Sequence, residues 1–220
     1  MLPKTLSEFF HASIHLVFAV VSAEGFVVAR SIYVPIENLY NFDGITSAIA
    51  LIFAYFFLVT SWIGYYKSVD TYPHTETKKG IARYGFGLLV TFLIYYMLSL
   101  THVDNKTKYG EIFWLLPVFF AILIIIHYIK SKEYKKELKK IDRENFEDIM
   151  VLTAAFFTIF LILAVVHHFL YDNLVFKIGD ISITQIIFIF LAICFTFWYR
   201  WSSWVKYRHR RRRIRQKSSR

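Results

Sequence analysis

The sequence predicts an all-α, polytopic integral membrane protein: one bundle of six transmembrane helices over residues 1–205, then a basic cytoplasmic tail over 206–220, with both termini in the cytoplasm. Three observations predict it. The 220 residues are 56% hydrophobic and 20% aromatic with a mean hydropathy of +0.44, above the roughly 45–50% apolar content of a soluble domain. The apolar residues gather in runs of about 20, the length a helix needs to cross some 30 Å of hydrocarbon. The basic residues are also unevenly placed. With six spans and cytoplasmic termini, 22 of the 26 Lys and Arg fall inside and only Arg30, Lys106, Lys108 and Lys177 outside, as the positive-inside rule requires.

The spans are expected at about 7–29, 44–66, 81–101, 112–130, 149–171 and 181–200. The first, with two histidines and Glu24, is the least apolar. No small-residue cleavage motif follows it, so it is taken as a retained helix rather than a signal peptide. Removing it from the count leaves the orientation of the other five unchanged. The second carries Ser47, Ala50, Ala54, Ser61 and Gly64, a small-residue seam that suits close helix approach. Pro73 breaks the chain before the third, which Thr75 or Thr77 is expected to cap. The fourth, "IFWLLPVFFAILIII", has no polar stripe and is expected to face lipid. Between the fourth and fifth, "KSKEYKKELKKIDRENFEDIM" alternates charge at helical spacing and reads as a solvated helix or helical extension.

The sixth span ends in "FTFWYRWSSWVKYRHRRRRIRQ". No acidic residue follows Asp180. Aromatic residues precede arginines, the order of a helix leaving lipid. Trp201, Trp204, Lys206, Arg208, Arg210, Arg211, Arg212 and Arg213 are therefore expected among headgroups of an anionic leaflet, where each base contributes about 1 kcal/mol. Nucleic acid is not the expected partner of this tail.

The single cysteine, Cys194, excludes an intramolecular disulfide and multi-thiolate zinc sites. No H-E-x-x-H, G-x-S-x-G, phosphate-binding loop or dinucleotide fingerprint occurs, and the glycines of "GIARYGFG" suit packing better than phosphate. No cofactor or metal is expected. His11 and His15 are one turn apart, but two ligands do not complete a metal site.

Polar residues inside spans are the remaining place for function, because desolvating them costs kilocalories unless they find partners or water. Glu8, His11, His15 and Ser22 share a face of the first helix; Tyr84, Thr91, Tyr95, Ser99 and His102 one of the third; Gln185, Thr196, Tyr199 and Ser203 one of the sixth. Two readings follow: a polar path lined by these three helices, or interhelical packing by hydroxyls at about 0.6 kcal/mol per bond. Glu24 stands apart from His15 on the wheel, near the outer end. His102, Asp104, His167, His168 and Asp172 are expected to gather at the outer face, as a cation or pH site or as an interfacial rim.

The function expected first is that of a non-enzymatic polytopic membrane protein, a homo-oligomer in the plasma (inner) membrane that forms or gates a polar pathway for an ion or small solute. Its candidate residues are Glu24, His11, His15, Thr91, Tyr95, Ser99, Gln185 and Thr196. Two alternatives stand beside it. One is a sensor or scaffold that recruits a cytosolic protein through residues 130–148, with seven bases and six acids, and through the tail. The other is a membrane enzyme acting on lipid, with histidines as acid-base groups.

Overall fold

The computed structural model describes residues 6–34, 37, 42–72, 74–101, 109–134, 140–173, 177–178 and 181–218, with side chains over 8–34, 37, 44–70, 72, 74–101, 110–134, 147–169 and 186–203. Six helices are long and apolar enough to cross a membrane. They are α1 (Leu6–Tyr33), α2 (Phe42–Thr71), α3 (Lys78–Ser99), α4 (Tyr109–Glu133), α5 (Lys140–Asn173) and α6 (Ile183–Ser218). Among the described residues the only extended pairing is a hairpin of two-residue strands, β1 (Lys177–Ile178) and β2 (Ile181–Ser182), between α5 and α6.

All the helices but α3 run beyond the apolar segments that betray them. A membrane span needs a nonpolar surface, whereas a helix can continue through polar residues of good helix propensity. The difference is greatest in α6, which continues through the arginines to Ser218. Lys, Arg and Gln are good helix formers and neither Gly nor Pro occurs between Ile183 and Ser218. The basic tail is thus the continuation of the sixth helix, not a separate segment.

α2 is the central post. In its apolar window 61% of the residues are buried, against 28–39% in the other five. α1 lies against α2 and α3, α3 against α4, α4 against α5, α5 against α6, and α6 returns to α2. The small residues make this possible: Ser47, Ala50, Ala54 and Ser61 are buried along α2, and neighbouring backbones approach where side chains are short.

The fourth helix, expected to face lipid, leaves Trp114, Val118, Ile125 and Tyr128 exposed but has a packed face as well. α4 packs between α3 and α5 and buries Ile112, Phe113, Leu116, Phe119 and Phe120. A helix that is apolar all round gives no stripe from which to read its inner face. Ring shape decides it instead. Phe119 meets Phe57 of α2 edge-on at 4.4 Å, and Phe120 stacks on Phe160 of α5 at 5.0 Å while its edge meets Tyr199 of α6 at 4.9 Å. These rings seal the middle of the bundle. The cavity beside them, lined by Phe57, Leu93, Ile94, Met97, Leu115, Leu116 and Phe119, encloses only about 10 Å³, the size of one water and without polar walls.

Candidate functional site

The polar groups concentrate at the end of the bundle where α2 stops, α3 starts and α4 ends. Tyr72 N–H donates to Ser68 O in the last turn of α2, and Thr77 is the N-cap of α3, its hydroxyl accepting from Gly80 N–H at 3.3 Å. Thr75, the other cap candidate, serves elsewhere. Gly80 is required by the turn itself, since a Cβ there would sit 1.9 Å from the Thr75 carbonyl oxygen.

Arg83, one turn into α3, is enclosed by this reversal. Its Nη2 donates to Tyr72 O at 3.0 Å and its Nε to His74 Nδ1 at 3.1 Å. The Glu133 carboxylate of α4 completes the clamp: Oε2 is 3.3 Å from Arg83 Nε, with the two side chains 4% and 1% exposed. Glu133 Oε1 accepts from Thr75 N–H at 3.0 Å and from the Thr75 hydroxyl at 2.6 Å. A buried pair whose partner is removed leaves an uncompensated charge, so Arg83 and Glu133 stand or fall together.

His74 reports the electrostatics. A guanidinium N–H can only donate, so Nδ1 accepts and the proton of the neutral ring is on Nε2, 3.0 Å from the Tyr65 hydroxyl. Burial, and then the adjacent Arg83 charge, push its pKa from the usual 6.5 down to about 3. Lys130 of α4 extends the network toward α2, donating to Ser68 Oγ at 2.8 Å with its ammonium 4.2 Å over the Tyr72 ring.

Deeper along α2, α4 and α6 lies a second group. Arg200 of α6 donates from Nη2 to Ser61 Oγ at 2.7 Å. Its guanidinium also lies over the rings of Phe57 and Tyr199. Gly64 leaves it room on α2, because a Cβ there would meet Nη1 at 3.3 Å. Among the described residues, Arg200 Nε, His127 Nδ1 of α4 and Ser203 Oγ of α6 are buried without a hydrogen-bond partner. Thr196 Oγ1, one turn before Arg200, is in the same condition. Sequence reasoning counted Arg200 as a tail base and did not single out His127. The signal was present in the stripe of α6, since Arg200 lies four residues from Thr196 and three from Ser203.

The expected stripes are not seen to line one path. α1 meets Tyr84 of α3 through Ser13 and Phe10, which lie off its expected stripe, with Ser13 Oγ 2.7 Å from the Tyr84 hydroxyl and Phe10 stacked on Tyr84 at 4.1 Å, while His11 and His15 lie against Trp62 and Tyr66 of α2. Thr91 and Ser99 bond backbone carbonyls of their own helix, Gly87 O and Tyr96 O, and Tyr95 is exposed. On α6, Tyr199 turns to α5, its hydroxyl 3.2 Å from Thr153 Oγ1. Glu24 is half-buried on α1, away from the histidines.

His11 and His15 do meet, Nε2 to Nε2 at 3.0 Å, while Trp62 Nε1–H donates to His15 Nδ1 at 3.0 Å. This arrangement does not suit a metal. A ligating Nε2 leaves the proton on Nδ1, and His15 Nδ1–H would then point at the Trp62 N–H, donor against donor.

At the other end, His167 is wedged between Phe113 and Phe188, with centroids at 4.5 and 5.1 Å, whereas His168 is exposed against Phe169. The two adjacent histidines therefore do not share a site. His102 and Asp104 lie outside the described residues, as do the side chains of Asp172, Gln185, Trp204, Lys206, Arg208, Arg210, Arg211, Arg212 and Arg213. Trp201 is exposed beside Trp198 and Phe197, as an aromatic belt at a headgroup level requires.

No family model, curated protein or solved structure matches this chain.

Proposed function

We propose that the chain is a non-enzymatic, six-span membrane protein with both termini in the cytoplasm of the plasma (inner) membrane, and that it works as a homo-oligomer to form or gate a polar pathway for an ion or small solute. One observation carries this reading. Arg200, a charge in the apolar segment of α6, keeps a buried N–H without a partner among the described residues, and a ring nitrogen of His127 on α4 and the Ser203 hydroxyl on α6 are in the same condition. An arginine at the end of a span ordinarily snorkels to water, so one turned inward with a donor unused marks a pathway mouth or a bound ligand. The distribution of basic residues makes this end of the bundle the cytoplasmic one.

The phenylalanine layer around Phe120 blocks the middle of a single chain. Passage therefore requires either a path between copies or movement of α6 against α4. Purified protein in liposomes should pass a small ion or solute when anions, cations, pH and voltage are varied, and Arg200→Gln should change the rate or selectivity. Liposomes that stay tight under all these conditions remove the pathway.

A second reading has its own support. α6 continues 15 residues beyond Ser203 to Ser218, about 22 Å of helix at 1.5 Å per residue, carrying the basic cluster away from the apolar segment. Such a rod suits anionic lipid or an acidic cytosolic protein. Truncation after Ser203 should abolish recovery of that partner, and unchanged recovery would dismiss the scaffold role.

A further inference from the structure

We infer that Arg200, His127, Ser61 and Ser203 form a binding site for a phosphate-class oxyanion between α2, α4 and α6. The inference names the ligand at the mouth of the pathway proposed above and rests on that reading of Arg200, but binding and transport are measured separately.

The donors come first. A guanidinium presents five N–H groups, and the edge formed by Nε and one Nη matches two oxygens of a phosphate or carboxylate. Arg200 uses Nη2 on Ser61, and its Nε is buried without a partner among the described residues. Ser203, one turn further on the same helix, offers a buried hydroxyl in the same condition, and His127 brings a ring nitrogen from α4. Three buried polar atoms on α4 and α6 without a partner among the described residues are unusual, because such groups are nearly always satisfied by protein, water or ligand.

Charge selects the ligand. His127 lies within the fields of both Arg200 and Lys130, and the described residues bring no carboxylate to Arg200. Glu133, the acidic residue at this end of α4, is held by Arg83 and Thr75. An anion is what this group lacks. Depth sets the source. Exposed Trp198 and Trp201 flank Arg200 on α6, and tryptophan marks the headgroup level. The oxyanion there is either the phosphate of an anionic lipid or a free phosphate from the cytoplasm.

The test uses the full chain in a phosphate-free maltoside detergent, with Arg210, Arg211, Arg212 and Arg213 replaced by Gln so that the tail does not mask the site. Thermal unfolding is followed with inorganic phosphate, with phosphatidylglycerol in mixed micelles, and with chloride at equal ionic strength. Phosphate or phosphatidylglycerol should raise Tm where chloride does not, and R200Q and the milder Ser203→Ala should each weaken that binding about tenfold or more. A response to phosphatidylglycerol alone assigns the site to lipid; a response to inorganic phosphate assigns it to a soluble oxyanion. No response to either, or equal responses in the parent and both variants, overturns the inference. Binding without flux in liposomes removes the pathway and leaves this site standing; flux without binding does the reverse.

Discussion

The two ends of the bundle treat polar residues in opposite ways. At the end where α2 turns into α3, one network runs from Tyr65 through His74, Arg83, Thr75 and Glu133 and ties three successive helices together. Among the described residues at the other end, the Tyr96 hydroxyl donates to Glu111 Oε2 at 2.6 Å between α3 and α4, and His167 sits against two phenylalanines. Between the ends the bundle is closed by aromatic rings. The comparison teaches that the buried charges of this network, Arg83 and Glu133, are shared among helices rather than held by one. At the first end Arg200 keeps a buried Nε–H without a hydrogen-bond partner among the described residues.

The comparison can be broken first at Glu133. Glu133→Gln should leave the Arg83 guanidinium buried and uncompensated, a loss of about 3–5 kcal/mol for pairs of this kind, read as a fall in Tm in detergent. Adding Arg83→Met should return part of it. A silent Glu133→Gln would mean that the clamp contributes nothing to holding α3 and α4 together. The aromatic layer offers the next test. Phe120→Ala should cost about 3 kcal/mol, the low end for soluble cores, since a span leaves packed protein for lipid rather than for water. Loss of less than a third of that would show the layer to be loosely packed.

A smaller effect separates the network from its surroundings by pH. The folded-state pKa of His74 is depressed to about 3, so between 3 and 6.5 the unfolded chain binds a proton that the folded chain does not. Stability from this group is complete above pH 6.5 and falls as pH drops through that window, by up to about 1.4 kcal/mol per unit. Tm measured from pH 7.5 to 4 should decline more steeply in the parent than in His74→Gln; equal slopes would mean that the ring is not buried against Arg83. The smallest expected effect is Thr77→Ala, which removes the α3 cap and should cost about 1 kcal/mol.

Six helices were legible because an apolar run of span length has one economical conformation in lipid. The α2 seam and a Thr cap for α3 were legible for local reasons: small residues recur at helical spacing, and a hydroxyl precedes the helix. What lay out of reach depends on contacts distant in the chain. Arg83 and Glu133 are 50 positions apart, and each alone resembles a surface charge. Arg200 stands at the head of a run of arginines and was absorbed into it, although its spacing from Thr196 and Ser203 places it on the packed side. α4, apolar on every face, carries no mark of which face turns inward. The tail's helix was missed because basic composition speaks of charge, while continuity rests on the helix propensity of Lys, Arg and Gln, uninterrupted here by Gly or Pro.

Water access along the helices tests the central contrast most directly. With Cys194 replaced by Ser, single cysteines at Ser203, Ser61, Ala54 and Thr91 are treated in intact membranes with a charged, membrane-impermeant thiol reagent from each side. Cysteines at 203 and 61 should react from the cytoplasmic side, and those at 54 and 91 from neither. Unreactive cysteines at both 203 and 61, or labelling at 54 as fast as at 203, would contradict a hydrated polar end closed by an aromatic middle.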